Sequence, residues 1–81
     1  MSPTGRQKAL QRHGLTETPE GLDVTWQGFQ RAAKRALELR DAGSEEAARM
    51  VALSPDHPLR WEYARCIQIE AFTNEMSDTG F

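Results

Sequence analysis

The stretch HPLRWEYARCIQIEAF, residues 57–72, constrains the fold more than any other. It reads as one helix whose large apolar residues do not share a side. At about 100° per residue, Leu59, Tyr63, Ala64, Cys66, Ile67 and Ala71 make one face. Trp61, Ile69, Phe72 and Met76 make a second stripe, with Arg65 and Gln68 inside it. A helix that is apolar on two sides must be covered from two sides. One arrangement places the chain's own N-terminal segment over the second stripe. The other places a second polypeptide there, since Trp, Phe, Met and Arg are the types enriched at interface cores. A two-fold symmetric dimer is the simplest form of that arrangement, and a heterologous partner fits as well.

The rest of the chain reads as further helices and turns. Residues 1–15 suit a short helix or basic arm. Ser2 is a plausible cap, Pro3 fits a first turn, and Gly14 fits the position just past a helix end. Its apolar content is thin, with Ala9, Leu10 and then Leu15. Residues 16–22, TETPEGL, read as a loop around Pro19 and Gly21. Asp23 or Thr25 caps a helix expected over 24–42. On that helix Trp26, Phe29, Ala32, Ala33, Ala36, Leu37 and Leu39 form one apolar arc, and the alanines invite close approach by another helix. Gly28 costs this helix roughly 1 kcal/mol against alanine, so a close contact, best placed beside Trp26, is the expected reason for it. Gly43 and Ser44 separate it from a short helix over 44–53, whose Glu45 and Glu46 suit the positive end of the helix dipole. Asp56 or His57 caps the last helix, expected over 57–75, and 77–81 reads as a loose tail.

No run alternates as a strand should, so the expected fold is all-α: a compact three-helix bundle with an additional short N-terminal helix, in a single small domain. The run RALELRDAGSEEAARMVALSPDHP has a helix–turn–helix cadence, but no second copy follows at a repeat period.

Composition narrows the function classes. The chain has 81 residues, 27% charged and 38% hydrophobic, which is an ordinary globular balance. No run approaches the roughly 20 apolar residues that a membrane span needs, and the first ten residues lack the core of a secretory signal. A lone Cys66 forms no internal disulfide. A cytoplasmic chain is expected. The net charge of −2 conceals a split. Residues 1–40 carry seven Lys and Arg against four acids, and residues 41–81 carry three Arg against eight acids. The halves therefore differ in sign, about +3 against −5, which suggests contact between them or two differently charged faces.

Chemistry is sparse. Glu45 and Glu46 are neighbours on a helix, so they diverge rather than act as an acid–base pair. Ser54, Asp56 and His57 are triad types, but they crowd one turn and lack an oxyanion-hole motif. His13, His57 and Cys66 have no metal-ligand spacing. Cys66, beside Ile67, is expected in the core. No glycine-rich phosphate loop is present. Neither enzymatic activity nor a cofactor or metal is expected.

Arg31, Lys34 and Arg35 share one face of the second helix, extended by Arg6, Lys8, Arg12 and His13. A solvated face is the plainest reading, a dock for an acidic protein the next, and a phosphate-binding row the third. A helix-turn-helix reading is opposed by the acids that open its would-be recognition helix. The expected function is thus a non-enzymatic helical protein–protein interaction module. It would be an adaptor, accessory subunit or inhibitor, of the kind phages and mobile elements encode, docking on a larger protein or on a second copy of itself. Trp61, Arg65, Ile69, Phe72 and Met76 would contact the partner. The alternative is a small nucleic-acid-binding regulator that uses the basic patch of the N-terminal half.

Overall fold

The computed structural model describes residues 5–78. The expected Ser2 cap and Pro3 turn, and most of the expected tail, lie outside them. Four helices and a β-hairpin follow one another: α1 Gly5–Arg12, β1 Leu15–Thr18, β2 Gly21–Val24, α2 Trp26–Asp41, α3 Glu45–Ala52 and α4 Leu59–Asp78.

The hairpin corrects the all-α expectation. Residues expected as a loop form two antiparallel strands, and Val24, expected in a helix, ends the second strand. Each strand has only four residues, too few for alternation to stand out in the sequence. The pattern is nevertheless present. Leu15 pairs with Val24 and both are buried, while their neighbours Thr16 and Asp23 pair on the exposed side. The loop is Pro19–Glu20. Proline holds φ negative, so this is not the primed turn that usually joins short hairpins. Gly21, with φ 127°, takes up the difference. Thr18 closes the turn, its hydroxyl donating to Gly21 O at 2.8 Å and accepting from Glu20 N at 3.3 Å.

Helix ends follow from local chemistry. Thr25 Oγ1 accepts from Gly28 N at 3.1 Å, and Ser44 Oγ accepts from Ala47 N at 3.3 Å. Such caps each contribute about 1 kcal/mol. His57 caps α4 by accepting the Leu59 N–H at Nδ1, 3.1 Å away. Two arginines reach carbonyls near helix C-termini. Arg31 Nη1 donates to Gln11 O and Arg12 O at the end of α1. Arg60 Nε donates to Met50 O near the end of α3 at 3.1 Å. The ends of separate elements are thereby fastened to α2 and α4.

The core is built largely from alanine. Ala9, Ala32, Ala36, Ala47, Ala64 and Ala71 are buried, and Met50 is the largest side chain wholly out of solvent among the described residues. Small residues at the contacts let helix axes approach closely. Two glycines bring backbones into direct contact. Gly14, with φ 67°, ends α1 and lies against Gly28 in the first turn of α2. Gly14 O accepts from both the backbone N–H and the hydroxyl of Thr25, at 2.8 and 3.0 Å. Gly28 is therefore explained by the backbone of Gly14, and not by packing beside Trp26.

The buried face of α4 straddles the two stripes, taking Ala64, Ile67 and Ala71 from the first and Phe72 from the second. Ala64, Ile67, Gln68, Ala71 and Phe72 are buried, an arc about 140° wide. Leu59 and Cys66, expected in the core, lie outside that arc and are exposed. A wheel centred on the large residues Leu59 and Tyr63 is turned away from the true face, which is centred on alanines.

Candidate functional site

The most unusual surface of the molecule is an aromatic stack between α2 and α4. Phe29 is buried and stacks on Trp61, with ring centroids 4.3 Å apart and planes 24° from parallel. Trp26 stacks on Phe29 at 5.5 Å and reaches Trp61 at 6.2 Å. Phe29 is only 9% exposed, whereas Trp26 is 60% exposed and Trp61 is 42% exposed. One ring thus forms the floor and two indoles form the surface. Together the indoles present roughly 250 Å² of mainly apolar area to water. Contiguous patches of a few hundred Å² on small proteins are commonly functional.

Local sequence positions the three rings. Thr25 caps α2, so Trp26 is its first residue and Phe29 follows one turn later on the same side. On α4, Trp61 falls in the first turn after the His57 cap. Gln27 and Gln30 follow Trp26 by one and four positions on α2, and Glu62 and Arg65 follow Trp61 by one and four on α4, which sets them beside the indoles on the helix surfaces. Arg65 Nη2 bonds Glu62 Oε2 at 2.5 Å, one helical turn away.

The five residues expected to contact a partner do not form one surface. Trp61 belongs to the aromatic patch, and Arg65 lies at its edge. Phe72 is buried, at 8% exposure, beneath α1. The edge of its ring meets His13 at 6.3 Å, and the Arg6 guanidinium lies over it at 5.8 Å. Ile69 and Met76 are partly buried and pack against the core. The stripe is therefore divided, its later part serving as core under the N-terminal helix. Trp26 joins the candidate site from outside the sequence reading, which placed it and Leu37 in the core. Both are exposed. Their positions at the rim of the apolar arc of α2, beside Gln30, were the available signal.

Polar contacts add to the apolar link between the α1 end and α4. Gln68, 3% exposed, donates from Nε2 to His13 O at 2.6 Å. Arg12 Nη2 pairs with Glu75 Oε2 at 2.6 Å, and His13 Nε2 lies 3.4 Å from Glu75 Oε1. The hydrogen bond from Arg12 holds the Glu75 carboxyl below its ordinary value of 4.5, against an opposing effect of partial desolvation, with His13 adding a smaller push downward. The sign follows from linkage. A depressed carboxyl contributes stability above its unfolded value, and that contribution disappears as pH falls through the lower folded value. Acid unfolding followed by far-UV circular dichroism should therefore show a contribution lost below about pH 4.5, and Glu75→Gln should lack it. An unchanged acid limb in the variant would remove Glu75 from that role.

The expected basic face is also divided. Arg31 is turned to the α1 carbonyls, and Arg6 and Arg12 pair with Glu17 and Glu75. Lys34 and Arg35 remain exposed on α2. Arg35 flanks a recess of about 120 Å³ with Leu39, Ile67, Glu70 and Asn74. Among the described residues no three His, Cys, Asp or Glu side chains are grouped to hold a metal ion. No described helix is long and apolar enough to cross a membrane. No protein-family model, curated protein or solved structure matches the chain.

Proposed function

We propose that this chain is a non-enzymatic protein-interaction module, and that its contact surface is the patch of Trp26, Phe29 and Trp61. The observation that carries the proposal is two indoles stacked over a buried phenylalanine and left open to solvent. Tryptophan is the residue type most often dominant in interface energetics, above all where it is rigidly supported. Here the support is built in, because Phe29 is anchored in the core and sets both rings. Little ordering entropy is left to lose on binding. Arg65, at the edge, adds a charge that can select among partners.

Capture from an extract of the source cells tests this reading. The tagged chain should retain a protein partner in high salt and after nuclease treatment. A Trp26→Ser, Trp61→Ser double variant with unchanged far-UV circular dichroism should lose it. Capture that vanishes with nuclease or salt, and that depends on Lys34 and Arg35, would instead favour nucleic-acid binding.

A further inference from the structure

We propose that the partner for this patch is a second copy of the same chain, docked across a two-fold axis with Arg65 of each copy set against Glu62 of the other. The inference rests on the protein-interaction reading above and names its occupant.

Charge at the rim is the first support. A two-fold interface places each group against a group from the same patch, so the patch must complement itself. A uniformly basic or acidic rim would repel its own image. This rim carries one of each sign, adjacent on α4, beside uncharged Gln27 and Gln30 on α2. Glu62 and Arg65 lie one turn apart, and both keep about half of their side-chain surface in water. Opposing two α4 segments in antiparallel fashion brings each arginine to the other copy's glutamate. The exchange replaces the two bridges within the copies, one in each, by two bridges between them.

Area and core size are the second support. A stable association covers about 800 Å² on each partner. The indoles supply roughly a third of that as an apolar centre, and the glutamines and the Glu62–Arg65 pair supply a polar rim, which is the usual anatomy. A chain of this size with an alanine-rich core has little apolar burial of its own. Covering two indoles adds what the core lacks.

Charge exchange provides the test. Solution mass is measured by light scattering over a dilution series for the wild type, Glu62→Arg, Arg65→Glu and an equimolar mixture of the two variants. Glu62 is exposed and Arg65 keeps 40% of its side-chain surface in water, so both variants should keep the wild-type circular dichroism. The wild type should move from the mass of one chain to that of two as concentration rises, with a blue shift of tryptophan emission. Each reversal alone sets like charges together and should weaken association about tenfold or more. The mixture pairs an acidic rim with a basic one and should associate more tightly than either variant alone. A wild type that stays at the mass of one chain throughout would overturn the proposal. So would reversals that dimerise as the wild type does, or a mixture no tighter than its components. If the chain is monomeric yet captures a different protein through Trp26 and Trp61, the dimer falls and the interaction reading stands. If nothing depends on the tryptophans, both fall.

Discussion

Gly28→Ala should destabilise the chain by about 3 kcal/mol or more, among the largest effects of any single methyl group in it. A Cβ at Gly28 would stand 2.1 Å from Gly14 O and 2.8 Å from Gly14 C. Those are backbone atoms, so no side-chain rotation relieves the overlap. Gly14 cannot retreat easily either, because its carbonyl holds two bonds from Thr25. Accommodating the methyl group means separating α1 from α2, with loss of the Arg31 bonds to the α1 carbonyls as well. For a chain of this size the midpoint of thermal unfolding should fall by at least about 12 °C. Gly5→Ala is the control. Nothing lies within 4 Å of a Cβ there, and the change should be neutral or stabilising by up to about 1 kcal/mol. Calorimetry on both variants decides the matter, and a Gly28→Ala protein that melts with the wild type would contradict the glycine contact.

Phe72→Ala and Trp61→Ala should separate the two halves of what reads as one stripe. Phe72 is buried against α1, and its removal should cost roughly 3–5 kcal/mol. That is a large part of the total stability expected for a domain this small. Trp61 keeps 42% of its surface in water, and its truncation should leave a folded chain while abolishing association. Urea unfolding followed by circular dichroism, beside solution mass, reads both outcomes. Similar tolerance of the two substitutions would mean that α1 does not cover Phe72.

These residues also show what the sequence made legible. Helices α2, α3 and α4 and their caps could be read because Thr25, Ser44 and His57 act through neighbours two or three positions away. The hairpin was not legible, since its pairing of Leu15 with Val24 spans a turn and each strand contributes only two inward positions at most. The aromatic patch was half legible. Trp61 stood out because it had no place on the face chosen for α4. Trp26 did not, because it fell at the edge of a well-formed apolar arc. Whether a residue at such an edge is covered depends on how closely the neighbouring helix approaches. Here the alanines and the glycine contact set that approach, and no wheel contains it. Arg31 departs from the basic face for a related reason. Arg31 lies beside Lys34 and Arg35 on the helix surface, yet its partner is the end of another helix.

The position of the tryptophans has a practical consequence for any spectroscopist. The chain contains two of them, and both lie in the same stack, 6.2 Å apart at the surface. Indole emission from this protein is therefore a local gauge of the patch, not a thermometer of the core around Met50. A fluorescence trace can change when the patch is covered while every helix stays in place, and two rings this close should give a coupled near-ultraviolet dichroism signal that disappears when either one is removed.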